Sequence, residues 1–425
     1  MKKVKFLTLG CKVNLYETEA MKGFFENAGY QVTESEDADV FVINTCTVTA
    51  MSDRKSRQMI RRAKKKNPKS IVAVVGCYSQ VSPDEVAKIE DIDIIMGTTD
   101  RTKIVEYVET FDGNRKTYVK SEIPKVFEDL KSTHQSRTRA TLKIQDGCRN
   151  FCTYCIIPFA RGPLRSKTIE STLSEVHELA KNGYKEIVLV GINLAMYGVD
   201  TNSSLIEIIE AVCSVDGIER VRLGSLEPNL VTDEFIERTK KLPNFCHHFH
   251  LALQSGSTTV LERMKRHYSA EEYLNASKML QNAFSDCALT TDVMVGFPGE
   301  TDEEFEESRN TVKEVGFSQI HVFPYSRRKG TVADKMENQV DESIKNIRCE
   351  KMIETGKILK KEFFEKYIGK TVTVLTERQE KDGLWEGHTS NFIQVFANGE
   401  AVEGCIIKVK LTGYEDEFMT GDIVC

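Results

Sequence analysis

Short apolar runs alternate with stretches of helical period along roughly the first 110 residues. Val4–Leu9, Asp39–Ile43, Ile71–Val75 and Ile92–Ile95 read as buried strands, and Asn14–Asn27, Ser52–Lys66 and Pro83–Ile89 as the helices between them. That rhythm predicts a parallel sheet with helices on both faces. A polar, charge-rich stretch around Lys120 to Arg139 reads as a linker. From Ala140 a longer alternation begins, with strands near Thr141–Gln145, Glu186–Ile192, Arg220–Gly224, His248–Leu253, Leu289–Val295 and Gln319–Pro324. Helical segments fall between them, the last opening with Thr301 and Glu304 at capping-box spacing. Six βα units suggest a partial, open (β/α)6 version of the eight-unit barrel, whose sites lie where strands end. Val372–Thr376, Ile393–Phe396, Ile406–Leu411 and Asp422–Val424 are short strands separated by Gly-containing turns, as in a small antiparallel β-barrel. The expected organisation is α/β: a parallel-sheet domain over 1–115, a linker over 116–137, the partial barrel over 138–365 and the small barrel over 366–425.

Composition narrows the class. With 40% apolar and 29% charged residues, each domain has material for a core and disorder is excluded. The opening MKKVKFLTLGCKVN is basic, but its apolar run ends at Leu9, too short for a signal peptide. No stretch reaches the roughly 18 to 20 apolar residues of a membrane helix, so the expected location is the cytoplasm. A net charge of −6 gives no global attraction to nucleic acid. The charge is uneven, however: from Arg54 to Lys69 there are nine basic residues and no acid. Such a run is either a solvated helix face or a phosphate-contacting patch.

Twelve cysteines without a secretion signal favour metal binding or catalysis over a disulfide framework. Cys148, Cys152 and Cys155 form a C-x3-C-x2-C run just after the first strand of the partial barrel. Three thiolates on a [4Fe–4S] cluster leave one iron without a protein ligand, whereas structural zinc would want a fourth ligand. Cys11, Cys46 and Cys77 each follow a predicted strand of the first sheet. If those strands are parallel, the three thiols converge on one edge, where α/β domains place ligands. Cys213, Cys246, Cys287, Cys349, Cys405 and Cys425 have no such spacing and read as packing residues or incidental thiols.

The C-x3-C-x2-C run at the head of six βα units resembles the radical S-adenosylmethionine (SAM) superfamily. The resemblance implies that SAM chelates the open iron and is cleaved reductively to a 5′-deoxyadenosyl radical. It also implies SAM or substrate contacts at Tyr154, Gly191, Asn193, Ser225, Glu227, Gln254 and Gly296. The succession LGCKVN, INTCTVT, VVGCYSQ and DGCRNFCTYC resembles the methylthiotransferase family along nearly the whole chain. This implies a second [4Fe–4S] cluster on Cys11, Cys46 and Cys77, so that all six cysteines are catalytic. One SAM would methylate a sulfur there and a second would activate the target carbon. It also implies that the small barrel is a TRAM RNA-binding domain.

GCKVN and His321–Ser326 (HVFPYS) look most like the branch that converts N6-threonylcarbamoyladenosine, beside the tRNA anticodon, into its 2-methylthio derivative. Sister branches act on isopentenyladenosine or on a ribosomal-protein aspartate. Arg327 and Lys329 stand where that branch commonly has prolines. The implied partners are a tRNA anticodon stem-loop, an electron donor such as flavodoxin or ferredoxin, and a sulfur source. Arg54, Arg57, Arg61, Arg62 and Lys65 are then candidate RNA phosphate contacts, and Trp385 either stacks on a base or packs in the barrel. A non-catalytic iron–sulfur RNA-binding protein is the rival of another class; SAM cleavage by the purified protein would separate the two.

Overall fold

The protein is described by a computed structural model that covers residues 1–381 and 383–424; Cys425 lies outside the described residues. The first sheet contains β1 (Lys3–Thr8), β2 (Gln31–Val32), β3 (Val40–Thr45), β4 (Ile71–Gly76), β5 (Ile94–Met96) and β6 (Lys116–Tyr118). All neighbours pair in parallel, in the order β2-β1-β3-β4-β5-β6. Every residue of β3 is buried, as expected of a strand covered on both faces. Met21 and Phe25 of α1 (Lys12–Asn27) pack on one face, and Ile60 and Ala63 of α2 (Ala50–Lys66) on the other. The strand order reverses between β1 and β3, which opens a crevice at their carboxyl ends. β2 and a helix over Ile104–Glu109 were not expected, nor was β6, which lies inside the stretch read as linker, nor a short helix, Cys77–Val81, that starts at the cysteine itself.

The central domain follows with β7 (Arg139–Lys143), and the antiparallel pair β8 (Gln145–Asp146) and β9 (Arg165–Ser166) then closes the base of the cysteine-bearing loop. β10 (Glu186–Val190), β11 (Arg220–Leu223), β12 (Ser225–Leu226), β13 (His248–Leu251), β14 (Ala288–Val295) and β15 (Gln319–Pro324) complete it. β7, β10 and β11 pair in parallel, as do β12 to β15, and Gly224 interrupts what is otherwise a single strand. These are the six strands of the expected partial barrel. A 24-residue helix, Glu342–Glu365, follows and was not foreseen. It lies so close to β15 that a Cβ on Gly356 would stand 2.4 Å from Ile320 Cγ1.

The last five strands, β16 (Thr371–Gln379), β17 (Trp385–Thr389), β18 (Gln394–Asn398), β19 (Ile406–Tyr414) and β20 (Met419–Val424), form a closed barrel in the order β16-β17-β18-β20-β19. The barrel is not wholly antiparallel as expected, because β18 and β20 run parallel. Trp385 is buried, in keeping with a packing role. Arg220 and Arg222 of β11 donate to the carbonyls of Thr373, His388, Thr389 and Ser390, tying the barrel to the central domain. Among the described residues, no helix is long and apolar enough to cross a membrane.

The first and central domains meet at Glu17, a fully buried carboxylate on α1. It ion-pairs with Arg101 at 3.1 Å and Lys143 at 2.8 Å, and accepts from Arg161. Burial raises its pKa, but Arg101, Arg161 and Lys143 outweigh burial and hold it at about 2. With a lowered folded-state pKa, the contribution is complete above the unfolded value and is lost as pH falls from about 4.5 toward 2. Glu17→Ala leaves Arg101, Lys143 and Arg161 to share only Glu128 and Asp146 and is expected to cost ~3–5 kcal/mol in urea unfolding at pH 7. A change below ~1 kcal/mol would show that the network is not holding the domains.

Candidate functional site

Cys11, Cys46 and Cys77 follow β1, β3 and β4, and backbone geometry draws their loops together. Gly10 has φ +125°, and a Cβ there would stand 3.2 Å from Cys46 Cβ. Asn14 donates to the carbonyls of Leu9 (3.1 Å) and Thr45 (3.0 Å), pinning the first loop to the second. Gly76 has φ +103°, and a Cβ there would lie 2.6 Å from Asn44 Oδ1 and 2.7 Å from the Thr45 carbonyl. Only glycine fits where β4 ends so near β3. Burial pushes the Cys77 thiol up to about 12 against the pull of Arg161, and the charges of Cys11 and Cys46 add to the rise. Cys46 is likewise raised by burial and by Cys11. The three thiols therefore share one electrostatic neighbourhood.

Cys148, Cys152 and Cys155 occupy the loop between β8 and β9. Gly147 has φ +76°, and a Cβ there would meet the Pro163 carbonyl at 2.0 Å, so the aspartate–glycine step before Cys148 requires glycine. Thr153 holds the loop by donating from its amide to Met264 and from its hydroxyl to Arg263. Burial pushes Cys155 up to about 12, with Cys152 and Cys148 adding to it. Thiols held this high keep their protons until a metal's charge displaces them. Among the described residues, no three His, Cys, Asp or Glu side chains crowd closely enough for a single metal ion. A four-iron cluster takes each thiolate on a different iron, so its ligands stand further apart. The donor chemistry suits it.

An arginine stands behind each set. Arg161 Nε donates to Cys77 Sγ at 3.2 Å, and Arg266 Nη1 to Cys152 Sγ at 3.3 Å. Arg161 ends the helix Ile157–Arg161, which begins two residues after Cys155, so one short element runs from one thiol set to the other. No sequence signal singled out either arginine. A latch closes the same gap: Arg328, from the loop after β15, donates to Asp53 and Thr47 in the region of α2. Arg328 lies between Arg327 and Lys329; of these two, Arg327 pairs with Asp334 at 3.0 Å.

Two cavities open beside the thiols. One of about 200 Å³ is lined by Val48 and Thr49 from the first domain and by Tyr154, Cys155, Gln254 and Asp292 from the central one. The other, of about 390 Å³, is lined by Cys11, Lys12, Gly191, Ser225, His250 and His321 among others. Asn193 reaches Cys148 Sγ at 3.9 Å, and Glu227 accepts from Asn150 and Arg266. Gly296 is placed elsewhere: it packs beneath Lys345 of the long helix, 2.3 Å from an added Cβ, and lines neither cavity. On α2, Arg54, Arg61 and Lys65 are exposed. Arg57 donates to the Tyr78 hydroxyl at 3.0 Å and Arg62 pairs with Glu36 at 3.3 Å.

Residues 142–312 match the radical SAM superfamily, and residues 3–97 a family described as uncharacterized, UPF0004. The chain is 45% identical to the threonylcarbamoyladenosine tRNA methylthiotransferase MtaB of Bacillus subtilis, over 97% of this chain and 94% of that one. The chain belongs to the radical SAM methylthiotransferase family. The tRNA-2-methylthio-N(6)-dimethylallyladenosine synthase of Clostridium tetani is 35% identical over 95% and 92% of the two chains. Among solved structures, the radical SAM methyltransferase TsrM from Kitasatospora setae superposes on 76% of this methylthiotransferase and 73% of its own chain, with TM-score 0.57 at 12% identity, a likeness of fold.

Gly76→Ala in this methylthiotransferase forces the ends of β3 and β4 apart. It is expected to cost ~1–3 kcal/mol and to lower iron bound after anaerobic reconstitution by about half, one cluster of two. Gly23→Ala, whose Cβ would meet nothing within 4 Å, is the control. Equal iron in the two variants would show that the Gly76 turn does not shape the site.

Proposed function

We propose that this chain converts N6-threonylcarbamoyladenosine beside the tRNA anticodon into its 2-methylthio derivative, with SAM as both methyl donor and radical source. The identity to relatives named for that nucleoside, along nearly the whole chain, carries this reading. It is 45% for Bacillus subtilis, 38% for Thermotoga maritima and 37% for Aquifex aeolicus, against 35% for the synthase from Clostridium tetani that is named for dimethylallyladenosine. The family uses SAM and [4Fe–4S] clusters. Cys148, Cys152 and Cys155 would hold the cluster at which SAM binds, and Cys11, Cys46 and Cys77 the one that carries the transferred sulfur. When bound, these groups supply the electron for SAM cleavage and the seat of that sulfur. The chain's own part is to position and screen: Arg161 and Arg266 offset thiolate charge, and the walls of the two cavities flank the thiols. Tyr154 and Gln254 would line the SAM site, with Gly191, Asn193, Ser225 and Glu227 around it.

The target base lies in a loop, where it can be splayed out without opening a duplex. The exposed cations of α2 would contact phosphates of the anticodon stem, and the closed barrel of β16–β20 would act as the TRAM module. A flavodoxin or ferredoxin would supply electrons, an unidentified donor would renew the sulfur, and the cytoplasm would be the setting.

Mass spectrometry of tRNA nucleosides from cells lacking the gene is expected to show loss of methylthiolated threonylcarbamoyladenosine and its return on complementation. Loss of a different methylthiolated product instead would overturn the substrate. The triple substitution Arg54→Glu, Arg61→Glu, Lys65→Glu is expected to weaken modified and unmodified stem-loops alike. It should also flatten the dependence of log affinity on log salt by about 0.7–0.9 for each phosphate that is no longer neutralised. An unchanged salt slope would remove α2 from the RNA surface.

A further inference from the structure

The two segments that resemble the threonylcarbamoyladenosine branch, GCKVN and HVFPYS, are some 300 residues apart yet meet in one place. Lys12 of the first and His321 of the second both line the 390 Å³ cavity beside Cys11. Among the described residues no aspartate or glutamate lines it, although Asp292 stands behind it, 3.5 Å from His250. Lys12 has neither a hydrogen bond nor an ion pair among the described residues; its ammonium lies 5.9 Å from the ring of Phe392. The cavity also receives the start of α1, a 16-residue helix that begins just after Cys11 with no side-chain cap and no acid in its first turn. His248, 4% exposed in the cavity wall, bonds Thr290 through Nε2 at 3.0 Å and leaves Nδ1 without a partner. Phe392 closes the wall from the turn between β17 and β18 with φ +71°, a conformation that costs a bulky residue about 1–3 kcal/mol unless its surroundings impose it. Its ring stacks on His248 at 4.7 Å.

Such a cavity takes an anion. We propose that it seats the N6 substituent of the target base, and that Lys12, with His321 across the cavity, receives the α-carboxylate of the threonylcarbamoyl group. This rests on the substrate reading above and names what selects that substrate. The dimethylallyl group of the sister substrate has no charge and would leave Lys12 unpaired. A backbone phosphate is the other source of a matching anion. A neighbouring cavity of about 580 Å³ shares Lys12 and Phe392 and is lined by both cations (Arg137, Arg139, Arg222) and glutamates (Glu377, Glu386, Glu403), so the experiment must separate the two sources.

The test compares three anticodon stem-loops on the cluster-reconstituted full chain by anaerobic fluorescence anisotropy. They carry threonylcarbamoyladenosine, its carboxylate methyl ester, or plain adenosine. The wild type is expected to bind the acid roughly 10-fold or more tighter than the ester, the scale of one charge-assisted hydrogen bond. Lys12→Gln should bring that ratio near one, and Lys12→Arg should restore part of it. Equal affinity of the wild type for acid and ester, or an unchanged ratio in Lys12→Gln, overturns the proposal. Equal weakening of all three RNAs in Lys12→Gln makes the anion a backbone phosphate and overturns the carboxylate assignment. Iron content is measured on every variant. If Lys12→Gln fails to hold iron, His321→Leu is put to the same comparison, with a lowered ratio expected and an unchanged one contrary. Product analysis on the same RNAs tests the underlying reading separately: methylthiolation of a stem-loop other than the threonylcarbamoyl one shows that the substrate reading has failed, and this proposal with it.

Discussion

A single buried carboxylate governs how the two halves of this molecule face each other. Glu17 has no solvent to stabilise its charge, so it must be held by cations, and these come from separate places: Arg101 in the first domain, Lys143 on the first strand of the central domain, and Arg161 beyond the cysteine loop. An isolated buried charge costs several kcal/mol, which makes the arrangement close to all-or-none. Arg161 also donates to Cys77. The network that joins the domains therefore also reaches one of the two thiol sets.

Much of the fold could be read along the chain, because the central strands of its parallel sheets, such as β3, β4, β10 and β14, are largely buried and stand out as apolar runs. The placement of Cys11, Cys46 and Cys77 after three parallel strands was enough to bring them to one edge. The long helix Glu342–Glu365 escaped because its pattern is inverted. Ile344, Ile347, Ile353 and Ile358 are exposed while Lys345 and Arg348 are buried, so no apolar stripe marks it. The parallel pairing of β18 with β20 follows from barrel closure, which no local pattern records.

The candidate site was legible to a similar depth. Cysteine spacing pointed to the thiols, since metal ligation demands particular residue types. The residues around them, such as Arg161, Arg266 and His248, are ordinary in sequence and gain their roles only when distant segments meet. Gly296, at a strand end, packs closely under Lys345, a contact that the sequence did not reveal. Phe392 could not have been found from sequence at all, because what distinguishes it is a positive φ and the ring of cations and histidines about it.

The Glu17 network also bears on how such proteins can change by recombination. The first hundred or so residues look like a separable module, with their own sheet and two apolar cores. They are nevertheless not electrostatically self-contained, because the carboxylate lies on one side of the junction and two of its three cations on the other. A chimera that moved one side alone would bury unbalanced charge at the seam. Glu17, Lys143 and Arg161 thus form one electrostatic unit that straddles the boundary visible in the fold.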